Sequence, residues 1–208
     1  MYYSITNRTD KEVGNVFPQV DCLNQYLAHS IQFEKPIDLK DDLAYSLKNK
    51  AKLTDALSQA EISALGILLN ERFKNLLSNF KLLGHHYNQS WVKMDNGKIY
   101  DYFWLHLFDN LENLEWLDYA KSTFIVKEYG FKKDDISLTS YQDYKVQSQK
   151  VGDMSVIIIK DIKIKENAAI NADMFVLPYL SRKIFISEKL KYTLQEKKIT
   201  GLLIEEAF

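Results

Sequence analysis

One sixteen-residue phrase is written twice in this chain. Residues 69–84 read LNERFKNLLSNFKLLG and residues 186–201 read ISEKLKYTLQEKKITG. Laid over each other, Asn70 meets Ser187, Glu71 meets Glu188, Arg72 meets Lys189 and Phe73 meets Leu190. Lys74 meets Lys191, Leu77 meets Leu194, and Gly84 meets Gly201 at the same spacing from the start. Each copy has the grammar of a capped amphipathic helix. Asn70 and Ser187 are N-cap residues, whose side-chain oxygen accepts a backbone N–H left free in the first turn. Glu71 and Glu188 follow, where negative charge suits the positive end of the helix. Phe73, Leu76, Leu77 and Phe80 in the first copy, and Leu190, Leu194 and Ile199 in the second, fall on one helical face. Lys197 and Lys198 stand at the C-terminal end, where cations are favoured. Gly84 and Gly201 are expected to close the helices in the left-handed conformation. Apolar runs flank both copies, so each reads as a strand–helix–strand unit. Two copies are too few for a solenoid array.

The rest of the chain reads mostly as strand. MYYSI is expected to form the first strand, because aromatic and β-branched residues favour a pleated surface. Residues 6–35 show no periodicity. The stretch DLKDDLAYSLKNKAKLTDAL spaces Leu43, Leu47, Leu53 and Leu57 so that it fits one helix or two short turns. HHYNQSWVKM alternates like a strand and leads into a DNG turn. KIYDYFWLHLF, STFIVKEY, YQDYKVQSQ, DMSVIIIKDIKI and DMFVLP are further strand candidates, and LLIEE closes the chain as a strand. No Gly/Ser/Pro-rich linker divides the sequence. The fold class expected is α+β: a single domain, residues 1–208, of two pseudo-repeated halves, about 1–120 and 121–208, with a mostly antiparallel sheet.

Charge and composition exclude several functions. The 208 residues carry 27 basic and 28 acidic side chains, a net charge of −1, which is not the balance of a strongly basic nucleic-acid binder. Seven Gly and three Pro beside 13 Tyr and 11 Phe suit a packed core and leave little for a phosphate-cradling loop. A single cysteine, Cys22, permits no disulfide within the chain. The first residues lack the basic-then-apolar run of a signal peptide, and the apolar runs are too short to cross a bilayer. A cytoplasmic protein is expected.

Chemistry is sparse. His85 and His86 are neighbours, but adjacent strand residues point to opposite faces and do not chelate one metal. The chain has no H-E-x-x-H, C-x-x-C, G-x-S-x-G, P-loop or G-x-G-x-x-G, so no catalytic residue, metal or cofactor is assigned. The window IYDYFWLHLFDNLENLEWLDYA, residues 99–120, holds Asp101, Asp109, Glu112, Glu115 and Asp118 with no Lys or Arg, among seven aromatics. Read as a surface, it offers aromatic anchors and acidic steering for a basic partner, with Asp109, Glu112 and Glu115 as its contacts. Read as structure, its aromatics are core and its acids a solvated turn. Two basic, aromatic clusters, Phe131, Lys132, Lys133 and Arg182, Lys183, are the only support for nucleic-acid binding.

The stretch ADMFVLPYLSRKIFISEKLKYTLQEKKITGLLIEE resembles the C-terminal pattern of bacterial immunity proteins encoded beside polymorphic toxins. That pattern is an apolar strand, a Ser-Glu-basic-Leu-Lys helix start, then ITG and a final strand. MYYSITN, FPQV at 17–20, AKLTDAL at 51–57, LNERFKNLL, and LEWLDYAKSTF with Asp118, Lys121 and Ser122 extend the resemblance over nearly the whole chain. Asn70 stands where a serine cap is expected. The resemblance implies a protein that binds a cognate toxin tightly and blocks it, with no cofactor, reaction, membrane or nucleic acid. It assigns no contact residue and no oligomeric state. Two alternatives stand beside it: an enzyme with a site gathered from His85, His106 and Asp118, and a module binding nucleic acid or another protein.

Overall fold

A computed structural model of the chain describes residues 1–31, 35–108, 114–166 and 168–208. Contacts gather these into two compact units, Met1–Asp109 with Ala172–Val176 and Lys183–Ala207, and Asn110–Asn171 with Leu177–Arg182 and Phe208. The architecture is α+β, with four helices among the described residues and mostly antiparallel strand pairs.

The first unit holds two sheets. Strands β1 (Tyr2–Asn7), β2 (Val20–Cys22), β3 (Leu43–Leu47), β4 (Ala56–Leu57), β5 (Gly66–Asn70), β6 (His85–Lys93) and β7 (Ile99–Leu107) come first, with helices α1 (Gln25–Ser30) and α2 (Glu71–Leu77). Six strands form one sheet in the order β2-β3-β6-β7-β5-β4, in which β3 and β6 run parallel. Its neighbour contains β1 in the order β11-β12-β1-β13, where β11 is Met174–Val176, β12 Ile184–Ser187 and β13 Leu202–Glu206. Helix α4 (Glu188–Glu196) follows β12. Both copies of the repeated phrase lie in this unit, one beside each sheet.

Two cores explain the apolar runs of β5 and β7. Ile67, Leu69, Leu105 and Leu107 join Phe73 and Leu77 of α2, Leu190 and Leu194 of α4, and β1 and β12 residues in one core. Leu68, Tyr102 and Trp104, one step away on the pleat, enter a second core with Tyr45, Val92 and Leu27. A strand buried on both faces shows no alternation.

The second unit has a three-stranded sheet, β10-β8-β9, of β8 (Thr123–Glu128), β9 (Phe131–Ile136) and β10 (Ser155–Asp161), with helix α3 (Tyr141–Lys150). Phe124, Val126, Ile157 and Ile159 share one buried face, and Ile125 is buried on the other.

Three expectations are corrected. Residues 38–57 hold β3 and β4 with one turn at Asn49–Lys50 between them, not one helix or two short turns; Leu43 and Leu47 lie four apart, which fits period 2 as well as period 3.6. YQDYKVQSQ is helix α3, not a strand. Ser140 Oγ accepts from Asp143 N (3.1 Å), and the Asp143 carboxylate accepts from Thr139 N (2.9 Å). That S-x-x-D start resembles a capping box, but none of the helix is buried, so no apolar stripe marks it. The glycines of the repeat do not close helices. Helix α4 ends with Lys198 in the left-handed conformation, φ 50°, where Lys198 N donates to Gln195 O (3.0 Å) and Ile199 N to Leu194 O (2.9 Å). Gly84 lies well beyond the end of α2. A Cβ on Gly84 would strike the carbonyl oxygen of Phe108, and one on Gly201 that of Ala56.

Candidate functional site

Four polar residues of the repeat, Asn70, Arg72, Ser187 and Thr200, are bonded to carboxylates of the first unit. Asn70 Oδ1 caps α2 by accepting from Phe73 N (3.0 Å), and its Nδ2 donates to Asp55 Oδ1 (3.0 Å). Ser187 Oγ caps α4 by accepting from Leu190 N (3.2 Å) and donates to Asp173 Oδ1 (2.7 Å). A carboxylate from another segment thus anchors each cap. The equivalent lysines behave alike: Lys74 lies over the Phe103 ring (3.6 Å) and Lys191 over the Tyr3 ring (3.8 Å), as cation–π pairs do.

Asp55 is the densest of these nodes. Its side chain is 7% exposed and is paired with Arg72 Nη1 at 2.9 Å. It also accepts from Thr200 N (2.9 Å) and Thr200 Oγ1 (2.8 Å). Arg72 Nη2 donates onward to the Lys197 carbonyl. Burial by itself raises the Asp55 pKa, but the bonds from the Thr200 amide, Asn70, the Thr200 hydroxyl and Arg72 outweigh it and hold the carboxyl below its ordinary value. Asp55 therefore joins the start of the first copy to the end of the second. No periodicity signals it; an acid in TDAL reads as surface.

The aromatics of window 99–120 are largely core. Tyr102 donates to Thr54 O (2.7 Å), and Trp104, Trp116 and Tyr119 are buried. Burial, with Tyr141 and Tyr144 nearby, pushes the Tyr119 hydroxyl up to about 12. Glu115 is exposed, and Asp118 lies within 3.7 Å of Lys121. Asp109 and Glu112 lie outside the described residues.

The histidines are dispersed. His86 stands opposite His106 in the β6–β7 ladder, so His85 projects from the other face of the sheet, away from His106. His106 is fully buried, with its ring 5.3 Å from Phe108. His86 Nε2 lies 3.3 Å from Asp38. Among the described residues no three metal-ligating side chains converge. In the second unit, Lys132 bonds Asp135 (2.7 Å) and Lys133 bonds Glu128 (3.0 Å), so both lysines are matched by acids.

The β8–β9 hairpin presents what remains. Its two turn residues, Tyr129 and Gly130, have φ of 49° and 85°, the left-handed pair of a tight hairpin that Asn-Gly fills best. A tyrosine there costs about 1 kcal/mol relative to glycine. Tyr129 N donates to Met154 O (3.3 Å), which sets the loop before β10 beside the turn. Tyr129, Phe131 and Met154 are 74%, 80% and 65% exposed. This signal was in the sequence as YGF, where the turn was legible only once β9 was known to exist.

The class defined so far is an α+β protein whose two helix caps and Asp55 node serve the fold, with an exposed aromatic hairpin tip. The chain belongs to the Immunity protein family (Imm11), whose family model matches residues 33–207. No curated protein matches the chain. No helix among the described residues is long and apolar enough to cross a membrane.

Proposed function

We propose that the chain binds the cognate toxin domain of a bacterial polymorphic-toxin system, one copy to one, in the cytoplasm, and blocks it by occlusion. It catalyses nothing and needs no cofactor. Membership of the immunity family across residues 33–207 carries this reading. The commitment of Asn70, Arg72, Ser187 and Thr200 to the caps and their carboxylate anchors is compatible with it. The test is direct. Co-expression with the toxin encoded beside it is expected to restore growth, and the purified pair to elute as one complex; a pair that shows neither complex nor protection overturns the proposal.

Asp109, Glu112 and Glu115 are proposed to steer a basic toxin toward encounter. Reversing these three charges to lysine is expected to slow association about tenfold at low salt, with the difference shrinking as salt rises. Stopped-flow or biolayer association rates at two salt concentrations check this. An unchanged rate removes the three acids from the encounter surface.

A further inference from the structure

We infer that the β8–β9 hairpin tip is the part of the chain that enters the toxin, as a plug seated in a concave apolar cleft. The inference rests on the toxin-binding reading above and names the surface that performs it.

The observation that carries it is a misfit. A turn with both central residues at positive φ is served best by Asn-Gly, yet the first position holds Tyr129. The conformation disfavours a large side chain. Among the described residues no bond repays the cost: Tyr129 is 74% exposed and only its backbone is bonded, to Met154 O. Phe131, two residues on, is 80% exposed, and Met154 reaches the same end of the sheet at 65%. Tyr, Phe and Met are the residues enriched at the centres of interfaces, where desolvated aromatics serve as anchors. A left-handed conformation held at an exposed aromatic, with no side-chain hydrogen bond among the described residues to fix it, points to a use outside the chain.

Shape and charge select the occupant. A two-residue turn is convex, and two convex tips cannot enclose each other. Three exposed side chains offer on the order of 400 Å², about half of what each partner contributes to a stable interface. A second copy of this chain is therefore a poor occupant, and a protein that surrounds the tip is a good one. Enzyme sites are such clefts, concave and mostly apolar with a few polar groups. The lysines beside the tip are neutralised locally, Lys132 by Asp135 and Lys133 by Glu128. The tip carries little net charge, so its contribution lies in residence time and not in charge-steered encounter.

The experiment compares the full-length chain with Tyr129→Asn, Phe131→Ser and, as a control in the first unit, Tyr26→Ser, whose side chain is also exposed. Each is titrated against the purified toxin domain encoded beside it, with Kd, dissociation rate and thermal midpoint recorded. Asn suits the turn, so Tyr129→Asn is expected to hold or raise the midpoint while accelerating dissociation about 30-fold. Phe131→Ser is expected to do likewise and Tyr26→Ser to leave dissociation unchanged. Weakened binding by a variant at least as stable as the parent cannot come from unfolding. A photo-crosslinking residue at position 129 is expected to label the wall of the toxin's cleft. A parent chain that binds tightly with tip variants that bind equally well overturns this inference alone. A parent chain that does not bind the toxin overturns the parent reading and this one together. Self-association of the parent that Tyr129→Asn abolishes assigns the tip to a second copy and also overturns it.

Discussion

Asp55→Ala is expected to destabilise the first unit by about 2–4 kcal/mol, the cost of leaving donors at a buried node without their charged acceptor. The carboxylate accepts from Asn70, Arg72 and both the amide and hydroxyl of Thr200, and its side chain is only 7% exposed. Removing it strips the support of the α2 cap and leaves the Thr200 amide without its acceptor, while the backbone N–H of residue 55 still donates to Thr200 Oγ1. Urea unfolding is expected to show a lower midpoint with the slope unchanged. A loss under about 0.5 kcal/mol, the range of ordinary surface substitutions, would reduce Asp55 to a surface residue. The pH dependence follows from the same geometry. The folded pKa is depressed, so between it and the ordinary value of 3.8 the unfolded chain binds more protons. Stability from Asp55 is therefore complete above the ordinary carboxylate range and is lost as pH falls through the folded value. Asp55→Asn is expected to flatten this acid limb, measured as unfolding free energy from pH 6 downward.

Gly201→Ala is expected to cost about 3 kcal/mol, from two sources that coincide. The residue sits at φ 90°, which a Cβ resists, and the added carbon would fall on the Ala56 carbonyl oxygen. That neighbour is backbone, held by the bond from Ala56 N to Thr200 O (3.1 Å), so it cannot swing aside as a side chain can. Gly97→Ala is the matched control. It too has positive φ (82°) but nothing stands near its missing Cβ, so only the conformational part of the cost remains. Thermal midpoints of the two variants separate the terms. Equal losses would mean that the close approach to Ala56 costs nothing.

Much of the site chemistry was legible as an inventory but not as an arrangement. The caps at Asn70 and Ser187 were readable because capping is local: acceptor and donor lie within one turn. Their anchors, Asp55 and Asp173, were not, because each is brought there from outside the helix by strand pairing, 15 and 14 residues away. The aromatics of window 99–120 could be read as surface or as core; burial of Trp104, Trp116 and Tyr119 is a property of what packs on them. Helix α3 escaped notice because nothing of it is buried, and β9 because five of its six residues are exposed and four are charged.

By itself the sequence determined the α+β class, most strands, both copies of the capped helix, and a resemblance strong enough to point to the family. These depend on short-range physics: side-chain period, cap chemistry and turn preference act within a few residues. Only the tertiary structure decided the rest. It turned the leucines at 43 and 47 into a strand, gave Gly84 and Gly201 the task of close backbone approach in place of helix closure, and set both copies in one unit. It also brought Tyr129, Phe131 and Met154 to one exposed end of a sheet. Such outcomes depend on which strand lies beside which. Side-chain pattern restricts that choice without naming it, because one apolar residue satisfies any core that receives it.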